Sequence, residues 1–191
     1  MKSARIYKLK ISLRNTHPPI WRRLLVPSDL TLADLHAVFQ IAMGWTNSHL
    51  HEFIINGDRY GEPFEGDELD MLDEKKVILR RVVNQPKMSF QYEYDFGDSW
   101  DHRILLEEIL PPNPEALFPI CVAGRRACPP EDSGGIYGFY NYMEIIQDPD
   151  DEEYSDVKSW IGEEYDPAAF DINAVNNELK QYKNYNLEND F

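Results

Sequence analysis

Asp95, Asp98, Asp101 and His102 fall within eight positions of one another in the stretch YEYDFGDSWDH, residues 92–102. Carboxylates and imidazoles ligate divalent cations and move protons near neutral pH. A chain reversal at Gly97-Asp98-Ser99 brings them together, because a hairpin returns its second strand alongside its first. Tyr92, Tyr94 and Phe96 before that turn, and Trp100, His102, Ile104 and Leu106 after it, alternate with the period of half-buried strands. Two readings of the polar residues stay open: a cation or proton-transfer site, or an Asx turn at Asp98 with the other acids solvated or paired with Arg103.

A second stretch, CPPEDSGG at 128–135, concentrates unusual chemistry. Two prolines fix its approach, Glu131, Asp132 and Ser133 are helix-start residues, and Gly134 and Gly135 permit positive φ or close backbone approach. It reads as a capped helix entry packed on a sheet, or as a site wall that adds helix-end N–H groups to two carboxylates. The candidate ligand-binding set is therefore Asp95, Asp98, Trp100, His102, Glu131, Asp132 and Ser133, on the expectation that hairpin turn and loop share a hollow. Cys121 and Cys128, with His102, form a separate candidate set for a divalent metal. Their spacing is longer than that of a zinc knuckle, so the loop must fold both thiols onto one ion; otherwise they are buried packing material. His49-x-His51 sends two imidazoles to one side of a strand, as metal ligands or as buried, hydrogen-bonded histidines. Neither a Walker lysine nor a Gly-x-Gly-x-x-Gly after a strand is present.

The elements that must hold these residues follow from periodicity. RIYKLKISL alternates as a strand, and IWRRLLV supplies a partner whose Arg22 and Arg23 point to opposite faces. Thr31 with Asp34 starts a helix through Leu32, Leu35, Phe39, Ala42 and Met43, ended by Gly44. HLHEFIING is a strand running into an Asn56-Gly57 hairpin. EPFEGDELDMLDE, with seven acids in thirteen residues, reads as an exposed loop, while in VILRRVV the positions of Ile78, Leu79, Val82 and Val83 fit a helical turn and the β-branched content favours a strand. The proline-rich stretch from Pro111 to Pro130 reads as irregular, and from about residue 134 the period becomes helical in three segments. Strands first and helices last indicate a single α+β domain over 1–191: an antiparallel or mixed sheet covered by helices, with a helical C-terminal third.

The totals exclude several classes. The chain has 191 residues, a net charge of −15 and two cysteines. It can bury a core without disulfide staples, and it carries no run of about 18 apolar residues and no secretory leader pattern, so a cytoplasmic protein with no membrane partner is expected. Residues up to Arg126 carry 16 basic and 18 acidic side chains, and those from Ala127 onward 3 and 16, so the acidity belongs to the last third. Such a surface repels a phosphate backbone, which argues against nucleic acid as a partner.

IWRR at 20–23, LADLHAVFQIAMGW at 32–45, HLHEF at 49–53, YDFGDSWDH at 94–102 and CVAGRRACPPEDSGG at 121–135, taken in order, resemble the plasmid pRiA4b ORF-3-like family. The resemblance runs on to WIGEEYDPAAFDINAVNNEL near the end. It implies an α+β protein, of a kind found in bacteria and archaea, some encoded on plasmids or mobile elements and sometimes labelled resolvase-like. A serine recombinase needs a nucleophilic serine among arginines and a basic DNA-binding domain, and neither is legible. The resemblance implies a cysteine at the position that Ser133 holds in this chain, so a cysteine-based metal site would lack a donor here. The expected function is a non-catalytic binding or accessory module. The alternatives are a metal-dependent hydrolase or nuclease-like enzyme, with Asp95, Asp98, His102, Glu131 or Asp132 as ligands, and a mobile-element DNA partner.

Overall fold

The computed structural model describes residues 4–63, 71–113 and 119–185. Among these residues eight strands form one mixed sheet: β1 (Ile6–Leu13), β2 (Trp21–Pro27), β3 (His51–Ile55), β4 (Asp58–Gly61), β5 (Leu72–Asp73), β6 (Ser89–Tyr94), β7 (Trp100–Leu110) and β8 (Ile120–Arg125). They lie in the order β5-β4-β3-β6-β7-β1-β2-β8, antiparallel throughout except for the short β4–β5 pair. The described α-helices, α1 (Leu32–Met43), α2 (Leu79–Val82), α3 (Gly135–Ile145), α4 (Tyr154–Ile161), α5 (Ile172–Leu179) and α6 (Tyr182–Tyr185), complete an α+β architecture whose C-terminal part is helical. None of the described helices is long and apolar enough to cross a membrane.

The sheet separates two environments because its central strands alternate cleanly. Tyr7, Leu9, Ile11 and Leu13 of β1 are buried, as are Trp100, His102, Ile104 and Leu106 of β7. On the opposite face Lys8 meets Glu108 at 2.8 Å, Arg23 makes a two-pronged contact with Glu107, and Lys10 and Arg23 lie over the Trp21 ring. Ion pairs and amphipathic rings suit a surface that water reaches. The apolar face is covered by α1, whose Phe39 packs edge-on to Tyr92 and near Phe53, while Gln40 donates to the Tyr92 hydroxyl. The ends of α1 match the expectation: Thr31 and Asp34 form a reciprocal capping box, and Gly44 closes the helix at φ +99°.

Four local expectations are corrected. The Pro111–Pro130 stretch contains β8, which pairs with β2 as an edge strand; prolines flank it without interrupting its hydrogen-bonded residues. Its outer side is capped by Asn176 of α5, whose amide accepts from Cys121 N at 2.7 Å and donates to Cys121 O at 2.9 Å. Phe96 does not continue the buried row of Tyr92 and Tyr94: Asp95 turns to φ +58°, the alternation breaks, and Phe96 is 39% exposed. The acidic segment before α2 is not simply an exposed loop. Residues 64–70 lie outside the described part, but Glu74 is 3% exposed and its carboxyl group meets His51 Nε2 at 2.9 Å. At the start of α3, Glu131, Asp132 and Ser133 provide no side-chain cap; Gly134 is the cap residue at φ +78°, and the Ser133 hydroxyl turns back to donate to Pro130 O.

Candidate functional site

The hairpin of β6 and β7 closes with Tyr94 opposite Trp100, leaving residues 95–99 as the turn. Asp95 makes the Asx-type contact expected of Asp98: its Oδ1 accepts from Gly97 N at 2.9 Å, and its carbonyl accepts from Ser99 N at 2.6 Å. Asp98 is thereby free to reach outward, and its Oδ2 accepts from Gly134 N at 3.1 Å. The 128–135 loop lies directly against this turn. A Cβ on Gly135 would sit 2.5 Å from Asp98 O, and Gly135 holds φ +68°, so glycine is required both by the contact and by the backbone.

Glu131 fastens the same loop from the other side. Its carboxylate accepts from the Tyr94 hydroxyl, from Thr46 Oγ1 at 2.5 Å and from Thr46 N at 3.2 Å. The Tyr94 hydroxyl in turn accepts from Ser48 N at 3.0 Å. Burial, and then the Glu131 carboxylate beside it, drive the Tyr94 pKa well above its usual value, so the phenol stays a donor. Trp45 adds its indole N–H to Pro129 O at 3.1 Å and packs with its ring tilted against those of Tyr94 and Trp100.

Between turn and loop, three donor groups converge. His49 Nε2 is 3.2 Å from Asp132 Oδ1 and 3.8 Å from Asp95 Oδ2, and ligand atoms of the three residues all lie within 4.8 Å of one another. The alignment leaves His49 Nε2 without a hydrogen bond although it is buried. Asp95 and Asp132 both hold left-handed backbones, at φ +58° and +57°. Asp95 is buried, whereas the Asp132 side chain is 70% exposed, so the cluster opens to solvent on one side. It is the one such three-residue group of His, Cys, Asp or Glu among the described residues.

The other sequence candidates sort by position. Trp100 is fully buried, its indole nitrogen without a partner among the described residues. His102 is equally buried, with Nδ1 at 3.2 Å from Tyr92 O and Nε2 unpartnered; burial lowers its pKa to about 3, so it is neutral. Cys121 donates weakly to Ala123 O, and burial raises the pKa of both Cys121 and Cys128, which keeps them as thiols. Cys121, Cys128 and His102 do not assemble as a three-donor group. Ser133 is occupied with Pro130 O. His49 and His51 take different partners: His51 stacks on His36 with ring centroids 3.4 Å apart and meets Glu74 in the core, leaving His49 alone at the turn.

Sequence reasoning missed the pairing of His49 with Asp95 and Asp132, and the roles of Trp45 and Thr46. The signal available was the HLHEF motif and YDFGDSWDH, but strand alternation ties His49 to His51, and only the pairing of β3 with β6 sets His49 beside the hairpin tip.

The model for the family described as plasmid pRiA4b ORF-3-like protein matches residues 5–174. The chain is 38% identical over 175 residues to the uncharacterized protein y4hQ of Sinorhizobium fredii, covering 91% of this chain and 90% of that protein. The crystal structure of the protein of unknown function MM3350 from Methanosarcina mazei Go1 is similar with a TM-score of 0.80 and 38% identity, over 89% of this chain and 97% of that one.

Proposed function

The chain belongs to the plasmid pRiA4b ORF-3-like family, and from the junction of its hairpin turn with its 128–135 loop we propose that it is a binding module that holds a divalent transition-metal ion on His49, Asp95 and Asp132. One observation carries the reading: an imidazole nitrogen and two carboxylate oxygens converge within 4.8 Å. Two of the three donors reach that point through left-handed backbones, a conformation that costs a non-glycine residue free energy and clusters at functional sites. Two carboxylates balance a dication, and a mixed nitrogen and oxygen donor set suits Zn, Mn or Fe(II) better than Ca. The exposed side of Asp132 leaves coordination positions open to solvent or to a ligand's oxygen.

Those open positions also support a second reading, a metal-dependent hydrolase in which a bound water is the nucleophile. Glu131 is poorly placed to serve it as a base, because its carboxylate oxygens already accept from Tyr94 and Thr46. The binding reading therefore leads.

The test is elemental analysis of protein purified without chelator, followed by calorimetric titration with Zn²⁺ and Mn²⁺. One ion per chain is expected, with a rise in Tm on adding it. His49→Ala or Asp132→Asn weakens the affinity at least tenfold. No stoichiometric ion and no metal-dependent rise in Tm end the reading. Metal-dependent cleavage of an activated ester or phosphodiester, lost in the same variants, promotes the hydrolase over the binding module.

A further inference from the structure

Arg22 is 2% exposed, a rare condition for an arginine. Its neighbour Arg23 turns to the outer face and meets Glu107, whereas Arg22 points into the apolar side of the sheet. The guanidinium donates from Nε to Ala42 O at 2.8 Å and from Nη1 to Trp21 O at 3.0 Å and Arg125 O at 3.1 Å. The Phe170 ring lies 4.2 Å away, and Gly124 makes room for both side chains, since a Cβ there would sit 2.5 Å from Phe170 and 2.9 Å from Arg22 Cδ. Among the described residues Nη2 makes no hydrogen bond and no carboxylate pairs with Arg22.

Three carbonyls satisfy N–H groups without neutralising the charge. A guanidinium does not give up its proton in a protein, and a buried charge without a counter-ion is costly. The ionisable groups acting on Arg22 are Cys128 and Cys121, which burial keeps as neutral thiols. The charge lacks an anion, and the structure has a place for one. Arg22 lines a cavity of about 460 Å³ whose other walls include Met43, Cys128, Tyr165, Phe170 and Val175. That volume is in the range of sites for organic ligands, and such sites combine apolar walls with a few fixed polar groups. The two acids on its rim are engaged elsewhere: Glu131 with Tyr94 and Thr46, and Asp171 as the cap of α5, accepting from Asn173 N and Ala174 N.

We propose that this cavity binds a small organic acid, its carboxylate on Nη2 of Arg22 and its apolar body against Phe170, Tyr165 and Val175. The apolar walls select an aromatic or aliphatic acid over inorganic phosphate. The cavity shares the 128–135 loop with the cation cluster but none of its three donors, so the two sites stand or fall separately.

The probes are benzoate and decanoate, titrated calorimetrically into the full chain, with benzamide, decanamide and inorganic phosphate as controls. At least one acid is expected to bind saturably and raise Tm, with its amide at least tenfold weaker and phosphate weaker still. Arg22→Met removes acid binding. Ala174→Trp, at an exposed position on the rim, blocks the cavity without touching Arg22 and weakens the acid at least tenfold even if the arginine variant fails to fold. His49→Ala leaves acid binding unchanged, which separates this site from the cation reading. Absence of binding by both acids, equal binding of acid and amide, or full acid binding by Ala174→Trp overturns the proposal.

Discussion

Lowering the pH from 6.5 to 5 destabilises this fold through two histidines that the core keeps neutral. His36 and His102 both have pKa values lowered to about 3, in each case first by burial, with the neighbouring His51 adding to the effect on His36. Unfolded, each has the ordinary value near 6.5 and takes up a proton across this window. The unfolded state then binds more protons than the folded one, so stability falls as pH falls. The His51–Glu74 pair contributes little. Burial drives both members toward their uncharged forms, so the folded pair holds one proton, on Glu74, while the unfolded pair holds about one on His51. Two histidines integrated from pH 6.5 to 5 give a loss of about 3 kcal/mol, a large share of the roughly 5–15 kcal/mol by which domains are stable. The assay is urea denaturation followed by tryptophan fluorescence at the two pH values. Ordinary carboxylates are still mostly ionised at the low end of this window, so acid pairs such as Arg23–Glu107 add little to the loss. His102→Asn removes one of the two groups and is expected to halve the pH-dependent loss, whatever it does to stability at pH 7. A loss below about 1 kcal/mol in the parent chain, or an unchanged loss in His102→Asn, refutes the account.

Glu74→Gln takes away the group that holds the pair's proton while His51 stays buried and neutral, so the loss between pH 6.5 and 5 grows to about 5 kcal/mol by the same urea assay. Gly135→Ala forces a Cβ to 2.5 Å from Asp98 O at φ +68°, and is expected to cost about 2–3 kcal/mol in denaturation and to weaken cation affinity by displacing Asp132. Tyr94→Phe leaves Glu131 without its phenolic donor and Ser48 N without its acceptor, for a loss of about 1–3 kcal/mol in the same measurement.

Much of the scaffold was legible because its causes are local. The alternation of Tyr7, Leu9, Ile11 and Leu13, the Thr31–Asp34 capping box, Gly44 as a helix stop and Asn56-Gly57 as a hairpin turn each depend on residues a few positions apart. Strand β8 was not, because its residues are a strand only by pairing with β2, a hundred positions earlier, and by the Asn176 amide along its edge. Phe96 was misplaced because one positive φ at Asp95 resets the alternation, and aspartate does not announce such a turn as glycine does.

The candidate site divides along the same line. Its two stretches stand out in the amino-acid sequence, since YDFGDSWDH and CPPEDSGG gather acids, glycines and prolines between runs of ordinary core. Their junction is a tertiary fact: Asp98 reaching Gly134, and Tyr94 reaching Glu131 across 37 positions, decide that Asp132 faces Asp95 and that His49 joins them. Arg22 shows the division most plainly. Alternation alone put Arg22 and Arg23 on opposite faces, but only the packed structure gave Arg23 a carboxylate and left Arg22 with carbonyls and a cavity. Periodicity is set by backbone geometry over one or two turns, so the chain carries it by itself; the partner of a charge is set by whatever side chain the fold delivers within about 4 Å, which only three-dimensional packing decides.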